Sequence, residues 1–513
     1  MVRLRPCGPV HRRANLALAV LFVLALMLAA CSDGEAPQAP VVAEGAASEV
    51  LEPPESDGSA DIHADEFAAP IPHEFEPPAI EPADPDPPPA LDQSGPRRKL
   101  DPDRRCSGCQ LVDPAFDPLE GATAHFGVLD GAAYRIEIPD DWNGTLILWA
   151  HGFSGLNDAG TGFDPLLSFG QLDIVRVLVS SGLAWASSTY QANGYVPAVG
   201  VDDLLEIKDL FIQKFGEPQR VYVGGGSMGG ATAQLMAQEF PDEIDGALGL
   251  CGALGNAWVV DFLASWHAVA AWILGDFPDR TDADGLVEWS SRLGVIGDDG
   301  LLQLTPAGEQ FAAVMRALTG GERWAFLEGL ADQWEGNWEI GALFWQAAIA
   351  GGIQPGALIP HDSSLAAFDT TDVIYASDPS GLVDVESLNA EVVRFDASDA
   401  HRAGPARGVA IGPLRVPLLT VKTTGDLFTP LHLDAAYQVA VAAAGDADNL
   451  VMRALRRPGH CSISPAEGFR AVSDLIAWVE DGVRPQGEIF DDDPSDAGVA
   501  FTDPFERDDP LAP

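Results

Sequence analysis

The chain has little positive charge. Its 513 residues include 29 Lys and Arg against 77 Asp and Glu, which gives a formal net charge of −48, and only four of the cations are lysines. Phosphate groups are bound through positive patches, so this balance excludes a nucleic-acid-binding or anionic-lipid-binding surface. The sequence also lacks a Gly-X-Y period, which excludes a collagen-like fibre.

Apolar residues, by contrast, are plentiful. Hydrophobic residues make up 47% of the chain, which excludes full disorder and is enough for a large core in two or more domains. The acidity extends into this core, because residues 106–485 alone carry a net charge of −31.

The first 30 residues have the features of an export signal. Four arginines in the first 13 residues precede an apolar run at 16–30, which is short for a membrane-spanning helix. Residues 28–31 (LAAC) resemble the bacterial lipobox, which implies cleavage before Cys31, a lipid on its thiol and a membrane anchor. Ser32 after the cysteine favours the outer membrane by the same resemblance. The alternative is an ordinary secretory signal with an incidental cysteine, and either route leads to an oxidising compartment.

Two segments are predicted to be disordered. Residues 32–105 hold 15 Pro and 18 Asp or Glu but only five Lys or Arg, so residues 31–105 are expected to form an extended acidic tether. Residues 486–513 hold nine acidic residues and one arginine, and the sequence predicts a disordered acidic tail there.

Strand-like and helix-like runs alternate through residues 106–255 and 410–485. This alternation predicts an α/β fold, with a mostly parallel sheet covered by helices on both faces. The interval 256–409 holds most of the twelve tryptophans of the chain within helix-like periodicity. Because it separates two blocks that read as one sheet, it is predicted to be an inserted, mainly helical cap domain.

The sharpest motif follows the predicted strand 220–223. Gly225-x-Ser227-x-Gly229 joins that strand to a helix, which is the context of a nucleophile elbow. The turn lifts the Ser227 hydroxyl clear of the sheet and directs the backbone N–H of Met228 towards a developing oxyanion.

The same stretch also satisfies the dinucleotide-binding fingerprint G-x-G-x-x-G. That motif belongs in the first strand–helix unit of a fold, whereas three predicted strands precede it here. An exported protein also rarely meets a soluble dinucleotide. The sequence therefore predicts no cofactor, and no set of metal ligands with suitable spacing is apparent.

An aspartate and a histidine much further along the chain complete a predicted catalytic triad, in the order nucleophile, acid, histidine. Asp426 follows the predicted strand 418–423, and His460 lies in the loop after the predicted strand 450–455. Asp426 is predicted to orient His460, which acts as the general base on Ser227. His432 is interpreted as a surface or helix-capping residue.

A second oxyanion donor is expected after an earlier strand. His151-Gly152-Phe153 fits, with the Phe153 N–H as the donor and His151 as a structural loop residue. Three residues of the loop after the predicted strand 183–188 are expected to line the substrate rim: Tyr190, Asn193 and Tyr195.

The His-Gly-Phe loop, the Gly-Gly-Ser-Met-Gly-Gly elbow, the Gly-Asp-Leu-Phe-Thr-Pro loop and the Gly-His-Cys loop together resemble the α/β-hydrolase superfamily. The resemblance covers residues 120–255 and 410–485, and it implies a serine hydrolase with an inserted cap. A small-molecule carboxylic ester is the expected substrate, and no protein partner can be inferred. Two alternatives stay open. One is a capped aminopeptidase, with Glu335 and Glu339 binding a free amine, and the other is a non-catalytic surface binding protein on the same scaffold.

Four cysteines remain after the signal and Cys31, and they allow three pairings. Cys251 and Cys461 are both expected at the top of the sheet, so a bridge between them is predicted to hold the His460 loop beside the nucleophile. Cys106 and Cys109 are then predicted to form a local disulfide, with a redox pair or half of a metal site as the alternatives. Tannase and feruloyl-esterase relatives also have a bridge next to the histidine, but with a cysteine immediately before the serine, where this chain has Gly226.

Overall fold

The computed structural model describes residues 118–153, 171–191, 195–255, 257–276, 283–297, 300–338, 369–376, 381–395, 413–490 and 494–502. The strands are β1 (Ala122–Leu129), β2 (Ala132–Pro139), β3 (Thr145–Ala150), β4 (Ala184–Ser188), β5 (Arg220–Gly226), β6 (Gly246–Leu250), β7 (Gly294–Ile296), β8 (Leu302–Leu304), β9 (Leu418–Gly425) and β10 (Leu450–Pro458). The predicted signal segment, the tether and the Cys106–Cys109 pair lie outside the described residues.

Eight of these strands form one sheet in the order β1-β2-β4-β3-β5-β6-β9-β10. β2 runs antiparallel to both β1 and β4, and the other five pairings are parallel. This mostly parallel sheet confirms the predicted fold class. The carboxyl ends of its parallel strands meet at one edge, where ligands bind in open α/β sheets.

The helices are α1 (Gln171–Ser180), α2 (Pro197–Phe215), α3 (Met228–Glu239), α4 (Ala257–Leu274), α5 (Ala283–Ser291), α6 (Pro306–Leu318), α7 (Phe326–Asp332), α8 (Val385–Glu391), α9 (Leu431–Ala443) and α10 (Pro465–Asp481). Successive side chains of a strand point to opposite faces of the sheet. In β3, Leu146 packs with α2, α3 and α9 on one face, while Ile147 packs with α1 and α10 on the other. Both faces are therefore covered, and β3 is apolar along its whole length.

The described part of the insertion contains α4 to α8 and a two-stranded hairpin, β7–β8. Its aromatic side chains pack edge to face, with Trp338 contacting Trp266, Trp289 and Trp334 at ring-centroid distances of 5.4, 5.7 and 5.4 Å. The same apolar cluster includes Met228, the first residue of α3. α4 is long and apolar enough to cross a membrane, yet 78% of it is buried inside the protein, as in the core helix of a folded domain.

The prediction of a disordered tail from residue 486 is wrong for the described residues up to 502. The N–H of Glu488 donates to the carbonyl of Met452 in β10 at 2.7 Å, and Phe490 is 5% exposed. Composition alone does not reveal such contacts, because a few hydrogen bonds and one buried aromatic ring are enough to hold an acidic segment along the sheet edge. Residues 503–513 lie outside the described part.

Candidate active site

Ser227 lies between β5 and α3 in a strained backbone conformation, with φ 56° and ψ −123°. Such a conformation costs of the order of 1–3 kcal/mol and persists only where the surroundings enforce it. A side chain at Gly225 would collide with the carbonyl of Gly229, and one at Gly229 would collide with the carbonyl of Ala150. The two glycines are therefore needed for the backbone to close around the nucleophile.

His460 is within hydrogen-bonding distance of both other predicted catalytic residues, Ser227 and Asp426. The hydroxyl of Ser227 lies 2.8 Å from Nε2 of His460, and Nδ1 of His460 lies 2.7 Å from Oδ2 of Asp426. With Nδ1–H donating to the carboxylate, Nε2 is an acceptor that faces the serine hydroxyl. These residues come from the carboxyl end of β5, the turn after β9 and the loop after β10, so sheet topology assembles the site.

Asp426 is fully buried and remains a carboxylate. Burial opposes its ionisation, but the charge and hydrogen bond of His460 and the nearby Lys422 outweigh that effect and keep the pKa of Asp426 below its usual value. Its Oδ1 accepts the N–H groups of Phe428 (2.9 Å) and Thr429 (3.0 Å), and the Thr429 hydroxyl lies 2.9 Å from Oδ2. The carboxylate is thus held on both oxygens.

The two predicted oxyanion donors belong to segments that adjoin Ser227. Met228 is the first residue of α3, so its N–H has no acceptor within the helix. In the loop after β3, a Cβ placed on Gly152 would lie 3.3 Å from the Cβ of Ser227. The ring Nδ1–H of His151 donates to the carbonyl of Gly152 at 2.6 Å, which turns the N–H of that peptide, on Phe153, the opposite way.

The parallel strands β5, β9 and β10 lead, in that chain order, into the turn of Ser227, Asp426 and the loop of His460, which is the order of an α/β-hydrolase fold. The chain has the α/β-hydrolase fold.

Comparisons with known proteins give a distant relative. No protein-family model matches the chain. The chain is 24% identical over 412 residues to an o-phthalyl amidase of Xanthobacter agilis, an alignment that spans 71% of this chain and 88% of that protein.

Solved structures with some likeness include feruloyl esterase B from Aspergillus oryzae, with a TM-score of 0.38 and 12% identity over 69% of this chain and 79% of that one. Another is the rice cell wall degrading esterase LipA from Xanthomonas oryzae, with a TM-score of 0.34 and 12% identity over 68% of this chain and 84% of that one.

Cys251 and Cys461 form the predicted disulfide, with their Cα atoms 5.2 Å apart. Cys251 directly follows β6, and Cys461 directly follows His460. Both cysteines have positive φ values, 45° and 59°. The bridge therefore ties the histidine loop to the strand next to the nucleophile.

The predicted substrate rim is corrected in part. Tyr190 is fully buried: its ring stacks on that of His151 at a centroid distance of 3.9 Å, and its hydroxyl donates to the carbonyl of His151. It therefore packs against the loop that follows β3. Tyr195 is 9% exposed and belongs to the apolar cluster that includes Met228 and Trp266, so its burial leaves little of the side chain to line a rim. Asn193 lies outside the described residues.

His432, expected at the surface or as a helix cap, is partly buried in the first turn of α9. Its ring meets Phe262 of the insertion at a centroid distance of 5.8 Å, and its Nδ1 atom is enclosed. Burial, together with the charges of Arg323 and Lys422, lowers its pKa to about 3, so the ring is neutral at pH 7. His151 is also neutral, because burial lowers its pKa to about 4.

Two side chains that support the backbone around Asp426 belong to no sequence motif. Lys422 of β9 is fully buried and donates to the carbonyl of Gly252, and to the carbonyl and hydroxyl of Thr429. Gln333, which follows α7 in the insertion, hydrogen-bonds the backbone on both sides of Asp426. A lysine inside an apolar strand is itself a signal in the sequence, because lysine is rarely buried without partners. Gln333 has no comparable signal.

Proposed function

We propose that this protein is a serine esterase that transfers the acyl group of a carboxylic ester to water. The observation that carries this proposal is the continuous chain of hydrogen bonds from Ser227 through His460 to Asp426, with distances of 2.8 and 2.7 Å. Catalysis by a serine needs an adjacent base that is itself oriented by a third group, and these residues meet that need.

In the first half of the reaction, Ser227 Oγ attacks the ester carbonyl while His460 Nε2 takes its proton. The carbonyl oxygen becomes an oxyanion between the N–H groups of Met228 and Phe153. His460 then gives the proton to the departing alkoxide, the C–O bond breaks and the alcohol leaves. The acyl group stays on Ser227 as an ester.

In the second half, His460 takes a proton from a water molecule whose oxygen attacks the acyl carbon. The oxyanion of this second tetrahedral intermediate accepts hydrogen bonds from the same two N–H groups. Collapse of the intermediate breaks the bond between the acyl carbon and Ser227 Oγ. His460 returns its proton to Oγ, which regenerates the serine and releases the carboxylic acid. Asp426 keeps its negative charge throughout and stabilises the imidazolium of each step.

Amide hydrolysis is the second candidate, and the relative named as an o-phthalyl amidase favours it. The same steps apply, except that His460 protonates a leaving amine. The aminopeptidase alternative has weaker support: Glu335 is exposed, and Glu339 lies outside the described residues. A purely binding role does not explain why all three triad groups are aligned.

Covalent labelling of the purified protein with a fluorophosphonate tests the nucleophile. We expect wild type to be labelled and Ser227→Ala to remain unlabelled; equal labelling of both would contradict the mechanism. Rates on nitrophenyl esters of varied acyl length, on aminoacyl anilides and on o-phthalyl amides then separate the candidates. Faster turnover of either amide class than of every ester would replace the esterase proposal.

We also propose that Cys31 anchors the enzyme to a membrane, with the outer membrane favoured. The support is the LAAC sequence at residues 28–31 after a basic start and an apolar run. In cells expressing the full chain, labelled fatty acid should be incorporated into wild type and not into Cys31→Ala. Incorporation into both would refute the assignment.

A further inference from the structure

The side-chain amide of Gln333 makes four hydrogen bonds. Its Nε2 group donates to the carbonyls of Gly425 (2.8 Å) and Gly329 (3.1 Å), and its Oε1 accepts the N–H groups of Leu427 (2.8 Å) and Phe428 (3.1 Å). Gln333 is 3% exposed. Its amide has two donors and two acceptor sites, and all four are used.

Three of these four partners are backbone groups that flank Asp426. The amide spans the turn from the carbonyl before the acid to the N–H groups after it. The N–H of Phe428 is shared, since it lies 3.1 Å from Gln333 Oε1 and 2.9 Å from Asp426 Oδ1. Gln333 therefore helps to set the direction of a donor that binds the catalytic carboxylate directly.

The same segment of the insertion has further contacts with this turn. Nε of Arg323 donates to the carbonyl of Thr424 at 2.6 Å, and Nδ2 of Asn337 donates to the carbonyl of Leu427 at 3.1 Å. Residues 323–338 thus follow the backbone from 424 to 428. This acid turn has its partners in the insertion as well as in the sheet.

The backbones also meet closely. A side chain on Gly329 of α7 would collide with the carbonyl of Gly425, which ends β9. A helix that approaches a strand this closely has no room to slide, so the position of Gln333 relative to Asp426 is set by packing.

From this geometry we infer that Gln333 is a positioning residue for the acid of the triad. It acts by fixing the turn that carries Asp426 and, through the shared Phe428 N–H, the orientation of the carboxylate against His460. On this basis the insertion is part of the catalytic apparatus and not only a cover for substrate. The inference depends on the proposed serine hydrolase function.

The test compares Gln333→Met with Gln310→Met in the full-length protein. Gln310 is a matched control, because it lies in the same insertion and donates to a backbone carbonyl, that of Leu382, away from the acid turn. Gln333→Met should lower kcat for a nitrophenyl ester by about tenfold to a hundredfold with KM within about twofold, since small displacements of catalytic groups have effects of this size. Gln310→Met should retain the wild-type kcat.

A double-mutant cycle separates positioning from general damage. In an Asp426→Asn background the triad has already lost its acid, so adding Gln333→Met should change kcat by less than about twofold. Active-site titration with the fluorophosphonate corrects every rate for the fraction of folded enzyme. The shorter Gln333→Asn variant, which keeps an amide but withdraws it from the turn, gives the same comparison with less change in the core.

The outcomes are distinct. If wild type turns over neither ester nor amide and Ser227 is not labelled, the proposed function fails. If wild type is active but Gln333→Met and Gln333→Asn match it, the positioning role is wrong. The role is also wrong if their loss of kcat is as large in the Asp426→Asn background as in wild type.

Discussion

Lys422 and Asp434 form an ion pair of 3.0 Å with side chains 0% and 1% exposed. Burial raises the pKa of Asp434 to about 6 despite the lysine, so removing the lysine leaves a carboxyl group with little solvation. Lys422→Met should therefore lower the free energy of unfolding by about 3–5 kcal/mol, as for other broken buried pairs. Urea unfolding at pH 7 measures this loss.

The companion variant is Lys422→Met with Asp434→Leu. It removes both charges and should recover part of the lost stability, but not all of it. In wild type the lysine also donates to the carbonyls of Gly252 and Thr429, and both carbonyls lose this donor in the double variant. A single variant as stable as wild type would contradict the importance of the pair.

Asp203 provides a pH-dependent test. It is 3% exposed and accepts hydrogen bonds from Gln191 (2.6 Å) and Ser188 (3.0 Å), yet burial raises its pKa to about 7. The folded protein thus holds this proton to higher pH than the unfolded chain. Between about pH 4 and 7 the folded state binds more protons, so this group makes stability fall as pH rises.

Asp203→Asn removes that titration while keeping a side chain able to pair with Ser188. The difference in unfolding free energy between pH 5 and pH 8 should shrink by on the order of 2–4 kcal/mol relative to wild type, with the variant the more stable at pH 8. Denaturant unfolding at the two pH values measures it. An unchanged difference would mean that Asp203 ionises normally.

Among larger elements, the loop that carries His460 is held by the bridge between Cys251 and Cys461. The disulfide joins residues 210 positions apart, and such a cross-link restricts the unfolded chain. Cys251→Ser with Cys461→Ser should lower the free energy of unfolding by about 2–5 kcal/mol. Because Cys461 adjoins the general base, kcat should fall more than KM rises.

Thermal unfolding and ester kinetics on the same preparation measure both effects. The double serine variant leaves Cys106 and Cys109 intact, so it is more specific than treatment of wild type with a reductant. A variant that melts earlier but keeps the full kcat would show that the bridge supports stability alone.

Local motifs and long-range contacts differ in how far they could be predicted. Ser227, Asp426 and His460 each sit at a strand end within a recognisable turn, so chain order was enough to bring them together. Tyr190 also follows a strand, but the sequence does not indicate on which side of the loop its ring packs. Gln333 lies in the interval that was predicted to be a separate cap domain. Its contacts with the turn around Asp426 arise only when the insertion folds onto the sheet.

At the scale of the whole molecule, the edge of the sheet formed by β10 could pair with another chain. β10 is an edge strand, and the described part of the tail covers it: Ala454 N–H donates to Glu488 at 2.9 Å, and Arg456 N–H donates to the Thr502 hydroxyl at 2.8 Å. Unpaired N–H groups on such an edge invite pairing with another chain, and acidic residues along it oppose that pairing. Residues 486–490 and 494–502 therefore protect the edge.

Truncation tests this protection. A chain ending at Pro485 should melt at a lower temperature than full-length protein and should scatter light increasingly with concentration, because β10 loses the groups that occupy its N–H donors. A chain ending at Thr502 is the control, since it keeps every described contact with β10, and it should behave as full-length protein does. Equal melting and equal scattering for the two truncations would mean that β10 does not depend on the tail. If only the longer one stays monomeric, the acidic end of the chain acts as part of the fold.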